Sequence, residues 1–461
     1  MATRSERDAL GERTVPAEAY FGIHTVRAME NFPISGLRPH PALIVATAQV
    51  KLAAARANVA LGRLSSTVGN AIVAAAREVA GGRWHDQFVV DVYQAGAGTS
   101  HNMNANEVLA NRALEHLGEP RGRYAVVHPN DHVNMGQSTN DVFPTAMRIA
   151  TLARMHSLLQ ALDGLENALR ERARHFDGVV KAGRTHLQDA VPIRLGQEIG
   201  GYATAIAANL TMIGDTRQAL RSLGLGGTAV GTGMNTHPDY RRLVIAGLAE
   251  LTGESLVAAP DPFDAMQSMR PFAAVSGALR TLCLDLIRIC NDLRLLASGP
   301  RTGLAEISLP AVQAGSSIMP GKVNPVMAEM LTMVCFQVIG NDAAVAMAAQ
   351  AGQLELNVMM PILAHALLQS LDILAHAIAV FTSRCVAGMQ ADVERCRRYA
   401  EETIALVTAL SPRIGYDRAA ALAKEVWSSG RSVRDVVTDQ GILTPADVSE
   451  LLDPRRLTEP G

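Results

Sequence analysis

Aromatic side chains are scarce: 2 Trp, 7 Tyr and 9 Phe make up 4% of 461 residues. Strands draw on aromatic and β-branched residues, so this shortage argues for helices, as does a 48% hydrophobic share carried mostly by Ala, Leu, Val, Ile and Met. An excess of either charge is also missing, because 42 Lys and Arg face 44 Asp and Glu for a net of −2. No global field would gather nucleic acid or an acidic membrane surface, and any anionic ligand must be held by local groups. Cysteine is limited to Cys283, Cys290, Cys335, Cys385 and Cys396, an odd number without a C-x-x-C pair. Buried free thiols in a reducing cytoplasm are the expectation. An apolar leader is lacking too, since Met1 to Glu12 is polar and charged and reads as no signal peptide. The most apolar long run, 362–381, is interrupted by His365, Gln369, Asp372 and His376, and reads as a buried bundle helix instead of a membrane span. Among the histidines, His24, His101, His128, His132 and His237 show no i, i+4 pair on an expected helix, so no metal site is expected.

What the chain does have is helical periodicity. Val275, Leu279, Leu282, Leu286, Ile289, Leu293 and Leu296 alternate steps of four and three, a seam for shallow-angle helix packing. Leu158, Leu162, Leu165 and Leu169 form a second seam, and Leu195, Ile199, Tyr202, Ile206, Leu210 and Ile213 a third. With 326–348 and 362–381 these make about five long helices, which is bundle architecture. Their apolar faces exceed what one small core needs, so the bundle is expected to continue across a subunit interface. A helix is also expected from Pro41 to about Leu61, stopped by Gly62. After Cys385 the pattern changes to short capped helices, one opened by Ser432-x-x-Asp435 and one by Thr444-Pro445-Ala446-Asp447. The expected fold is all-α in three domains: 1–139 mostly helical, 140–391 the long-helix bundle, and 392–461 a small helical domain.

Three polar patches precede expected helices. Gly96 to Glu107 contains Thr99, Ser100 and Asn102, which are good capping residues and also line a natural anion site. His128 to Asp141 contains Gly136-Gln137-Ser138-Thr139-Asn140, with Pro144 expected in the first turn of the helix that follows. Gly183 to Asp189 reads Gly-Arg-Thr-His-Leu-Gln-Asp. A fourth run, Gly315-Ser-Ser-Ile-Met-Pro-Gly-Lys-Val-Asn-Pro325, is the most telling, because its glycines and prolines exclude a helix or central strand while it gathers two hydroxyls, a lysine and an amide. Such groups grip an oxyanion, and the run reads as the lid and catalytic loop of an anion-handling site. Two alternatives fail. The spacing from Gly315 to Gly321 and the Val at 323 do not fit a phosphate loop, and the dinucleotide-like Gly224-Leu-Gly-Gly-Thr-Ala229 follows a helix, with no βαβ alternation around it.

From about Glu12 to Asp453 the chain resembles the aspartase/fumarase superfamily. Gly315 to Pro325 is similar to that family's signature loop, and the three upstream patches match its other motifs in order. Gly321-Lys322-Val323-Asn324 resembles the branch holding aspartases and class II fumarases, and differs from the argininosuccinate and adenylosuccinate lyases after the proline. Glu12 to Thr25, Arg27 to Ser35 and Gly136 to Asn140 are similar to aspartases, Gly227 to His237 and Glu329 to Val334 lean toward fumarases, and Gln353 to Asn357 is shared by both. The balance favours the aspartase branch. The resemblance implies a three-domain lyase working without cofactor or metal in the cytoplasm, as a homotetramer whose sites are each shared by three chains. Its partners would be a small dicarboxylate, L-aspartate or fumarate, and ammonia. The implied reaction is reversible anti elimination of ammonia from L-aspartate to give fumarate, with the class II fumarase reaction, malate to fumarate and water, as the alternative.

The same resemblance implies residue roles. Ser316 would take the C3 proton. Thr99, Ser138, Thr139 and Ser317 would cradle the β-carboxylate. Thr185, His186, Lys322 and Asn324 would clamp the α-carboxylate, with Asn140 and His186 near the amino group. Glu329 would stand behind the site, although a glutamate there also suits the start of a helix. A non-catalytic helical scaffold is the competing class; it should have lost some of these residues, and all are present.

Overall fold

The computed structural model describes residues 2–460. The chain opens with a hairpin, β1 (Thr3–Asp8) and β2 (Gly11–Pro16), followed by α1 (Ile23–Asn31), α2 (Pro41–Ala60), α3 (Ser66–Ala80), α4 (Thr99–His116) and α5 (Thr139–His175). A second hairpin, β3 (Val180–Thr185) and β4 (Gln188–Arg194), leads into α6 (Leu195–Leu220), α7 (Tyr240–Thr252), the short α8 (Pro262–Gln267) and α9 (Arg270–Leu296). After the 315–325 loop come α10 (Val326–Gln350) and α11 (Met360–Phe381), then α12 (Val393–Glu402), α13 (Ser411–Ile414), α14 (Tyr416–Ser429), α15 (Val433–Asp439) and α16 (Pro445–Leu451). Every sheet among the described residues has only two strands, and the fold is all-α around a bundle of long helices.

The seams become the core. On α9, all seven residues from Val275 to Leu296 are buried, as are Leu158, Leu162, Leu165 and Leu169 on α5. Each such side chain contributes about 1.5–3 kcal/mol of burial, which offsets the ordering of long helices. All five cysteines are free and buried. By length and composition alone, 326–350 and 360–386 would both pass as membrane spans. The second is 61% buried, as a bundle helix should be, whereas α10 exposes Met333, Phe336 and Met347.

The chain packs as two compact units. The first comprises Met1–Leu159, Thr211–Thr281 and Phe336–Leu374; the second comprises Gln160–Leu210, Leu282–Cys335 and Ala375–Gly461. In the first, a core of α2, α3 and α4 gathers Leu52, Ile72, Val79, Phe88, Leu109 and Leu114. In the second, the C-terminal helices close over a cluster of their own, running from Leu406 through Leu422 and Val436 to Leu452. The hydroxyls of Ser432 and Thr444 cap α15 and α16 by accepting the N–H groups of Asp435 and Asp447, both at 3.1 Å.

Two local features differ from the sequence-based expectation. The β1–β2 hairpin is polar on both strands, so alternation gives no sign of it. It is tied down by Arg4, whose guanidinium donates to Glu6 and to the carbonyls of Pro16, Ala19 and Phe21. Pro144 lies beyond the first turn, inside α5, where its missing N–H leaves the Asn140 carbonyl without a helical partner.

Candidate active site

Two helix N-termini meet in the first unit. Gly98, at φ +82°, turns the chain into α4, and a Cβ there would stand 2.2 Å from the Phe143 ring. No side chain caps this helix from Gly98, while the exposed Thr99 donates to the Gly96 carbonyl at 3.2 Å. One turn along α4, the Asn102 amide donates to the Thr139 hydroxyl at 3.0 Å, joining the start of α4 to the start of α5. Ser138 precedes α5, and its Oγ accepts the Asn140 N–H at 3.2 Å. The Asn140 amide donates to the Ala229 carbonyl at 2.8 Å. Thr99, Ser138, Thr139 and Asn140 thus form one group of neutral donors at two positive helix ends, a setting that favours a carboxylate.

A buried polar layer supports this group. Asp141, fully buried, accepts the N–H groups of Ser138 at 3.0 Å, Gly226 at 3.0 Å and Thr228 at 2.9 Å. The glycine-rich 224–229 run is therefore a nest for a carboxylate of the protein's own, which explains its resemblance to an anion loop. Burial lifts the Asp141 carboxyl to about 6, against the pull of those N–H groups. Lys51, also fully buried, donates to the Asn134 side-chain oxygen at 2.7 Å, and burial lowers its amine to about 7. His101 pairs with the Thr47 hydroxyl at 2.9 Å, and burial lowers it to about 3.

Thr185 and His186 form a second group, at the tip of the β3–β4 hairpin. The third polar patch therefore sits on a strand-turn-strand unit, and α6 begins only after β4. Thr185 pairs with Gln188, leaving His186 and Leu187 as a two-residue turn at φ +55° and +58°, the sign a type I′ turn requires. Below the tip, Glu306, fully buried, accepts from Arg184 at 2.9 and 3.0 Å and from the Lys181 amine at 2.9 Å. Lys181 also reaches Glu198 at 2.8 Å. This buried network fixes the hairpin that carries His186.

The 315–325 loop is the third group, and it folds on itself. Asn324 donates its amide to the Gly315 carbonyl at 2.7 Å, and a Cβ on Gly315 would lie 2.2 Å from the Lys322 carbonyl oxygen. The Ser316 Oγ accepts the backbone N–H of Met319 at 2.9 Å and of Ile318 at 3.3 Å. That is the hydrogen-bonding pattern of an ordinary serine turn, and also what a serine oxyanion needs. Ser317 and Lys322 are exposed, Asn324 half-buried, and Glu329 sits in the first turn of α10.

His128 and His132 stand four apart in sequence, but His128 is the extended N-cap of the Pro129–Val133 turn, so the two do not share a helix face. Their rings serve the backbone: His132 Nδ1 accepts the His128 N–H at 2.9 Å, and His128 Nδ1 accepts from Asn130 and Asp131. Sequence reasoning passed over Lys51, Glu306, Lys181 and the nest partners of Asp141. A sign of the first was available, since Thr47, Lys51 and Asn58 share one buried face of an otherwise alanine-rich helix.

Neutral donors at two helix ends in the first unit and, in the second, a loop that holds a serine oxygen by N–H groups are the kinds of group that removal of a proton next to a carboxylate would need. The match to known proteins agrees: residues 11–340 fit the lyase family model, and 406–459 fit the fumarase C C-terminal model. The chain belongs to the aspartase/fumarase superfamily. An aspartate ammonia-lyase of Bacillus subtilis is 50% identical over 458 residues, covering 99% of this chain and 96% of that one. A class II fumarate hydratase of Halobacterium salinarum is 51% identical over 459 residues, covering 99% and 97%. The crystal structure of a fumarate lyase:delta crystallin from Brucella melitensis bound to cobalt superposes with a TM-score of 0.97 at 50% identity, covering 100% of both chains.

Proposed function

We propose that this lyase is an aspartate ammonia-lyase, catalysing reversible anti elimination of ammonia from L-aspartate to give fumarate. The observation that carries the reading is the pair of N–H groups on Ser316 Oγ. The C3 hydrogen beside a carboxylate is a very weak acid, and its removal puts a further negative charge on that carboxylate. A serine can take the proton only if its own oxyanion is stabilised, and the loop supplies that stabilisation. On this reading Ser316 accepts the C3 proton, the electron pair forms the C2–C3 double bond, and the C–N bond breaks to release ammonia. Thr99, Ser138, Thr139 and Ser317 hold the β-carboxylate; Thr185, His186, Lys322 and Asn324 hold the α-carboxylate, with Asn140 and His186 beside the amino group. Glu329 stands behind them.

A homotetramer with sites shared between subunits fits the exposed Met333, Phe336 and Met347 of α10, a face too apolar to leave in water. Such an enzyme would work in the cytoplasm. The second reading, a class II fumarase, is favoured by the 51% identity to the Halobacterium salinarum hydratase. Fumarate offered with ammonium, and separately in plain buffer, divides the two: ammonium-dependent loss of fumarate absorbance supports the ammonia-lyase, loss in plain buffer the fumarase. No loss in either overturns both.

A further inference from the structure

Thr99, Ser138 and Thr139 offer hydrogen bonds but no charge, yet the β-carboxylate proposed for them is negatively charged. An ionisable amine stands one layer behind. Lys51, in the middle of α2, is fully buried, and its amine donates to the Asn134 side-chain oxygen at 2.7 Å. The Asn102 amide donates to that same oxygen at 3.3 Å and to the Thr139 hydroxyl at 3.0 Å. Two side chains therefore connect a buried amine to the hydroxyl at the head of α5.

This arrangement costs stability, because a methionine at position 51 would pack without desolvating a charge. The lysine feels the charge of buried Asp141 but makes no hydrogen bond to it: its bond goes to an amide oxygen, and the oxygens of Asp141 are engaged by the N–H groups of Ser138, Gly226 and Thr228. The surroundings are also more polar than the fold can satisfy internally, with Asn102 Oδ1, Gln137 Oε1, His101 Nδ1 and the Tyr240 hydroxyl all buried without a partner. A polar interior in this state is suited to responding to charge at its edge.

We propose that Lys51 is a positioning residue for the carboxylate cradle, orienting Thr139 through Asn134 and Asn102 and lending a buried positive charge to a dicarboxylate seated on it. The proposal rests on the reading of Thr139 as a carboxylate-binding group. Burial lowers the amine to about 7, so near neutral pH an arriving anion would draw the lysine toward its charged form.

The test uses the full-length protein with Lys51→Met, which removes charge and donor, and Lys51→Gln, which keeps a donor without charge. Succinate, a four-carbon dicarboxylate that cannot eliminate, is the calorimetric probe, beside kcat and KM for L-aspartate. With the variants folded by circular dichroism, the succinate Kd and the KM should both rise about tenfold or more while kcat stays within about threefold. In a double-mutant cycle with Thr139→Val, the combined loss should fall well short of the product of the single losses. An unchanged Kd in a folded Lys51 variant, or losses that simply multiply, overturns the proposal. If Thr139→Val itself leaves Kd unchanged, the reading of Thr139 fails, and the inference with it, an outcome distinct from a harmless Lys51 change. Should neither lysine variant fold, Asn102→Ala cuts the same chain at its last link, with the same rise expected and an unchanged Kd counting against the proposal.

Discussion

The Ser316 hydroxyl oxygen accepts the Met319 backbone N–H at 2.9 Å, so the loop turns its own amide toward the atom that would carry negative charge. If Ser316 is the base, Ser316→Ala removes the proton acceptor and leaves the carboxylate donors in place. Turnover should then fall on the order of a thousandfold or more, while the succinate Kd moves by less than about threefold. Calorimetry beside a steady-state assay checks both halves. Normal turnover would remove Ser316 from its role.

Asp141 satisfies three backbone N–H groups at once, and Asp141→Ala would leave them buried and unpaired. The expected loss is about 3 kcal/mol, read as a lower midpoint in urea. Because the same carboxylate fixes Ser138 and the 226–228 turn, succinate binding should weaken in the variant as well.

At the hairpin tip, Leu187 holds φ +58° and is 72% exposed, so it carries the strain of a left-handed conformation with little burial in return. Leu187→Gly should raise stability by about 0.5–1 kcal/mol, measurable as a higher melting temperature. A fall would mean that the leucine is covered in the assembled protein.

Glu78 gives a pH signature. Its hydrogen bonds from Arg112, at 2.6 and 2.8 Å, with a further one from the Trp84 indole, hold its carboxyl at about 2. A depressed folded-state pKa contributes stability that is present above the ordinary value of 4.5 and is lost as pH falls through 2. Glu78→Gln should therefore be less stable than the parent at pH 7, with the gap closing between about pH 4.5 and 2. Urea midpoints across that range report it, and a gap independent of pH would contradict the assignment.

Much of the fold was legible because its signals are local. The α9 seam needs only the spacing of seven apolar residues, and the starts of α15 and α16 need only Ser432 and Thr444. The 315–325 loop declared itself by glycine and proline that no helix accepts. What escaped was tertiary. The β1–β2 hairpin is held by Arg4 reaching carbonyls far along the chain, and no periodicity encodes that. The histidine turn 128–133 and the hairpin beneath His186 were hidden by polar residues whose partners are distant or backbone. Lys51 and Glu306 look like ordinary charges in sequence; only burial separates them from solvated ones.

The central claim is that the enzyme breaks a carbon–nitrogen bond. The most direct measurement gives the purified protein L-aspartate and L-malate in parallel and follows fumarate and ammonia. The account predicts fumarate from L-aspartate with an equal amount of ammonia, in large excess over any fumarate from L-malate. Fumarate formed from L-malate alone, or from neither, would contradict it.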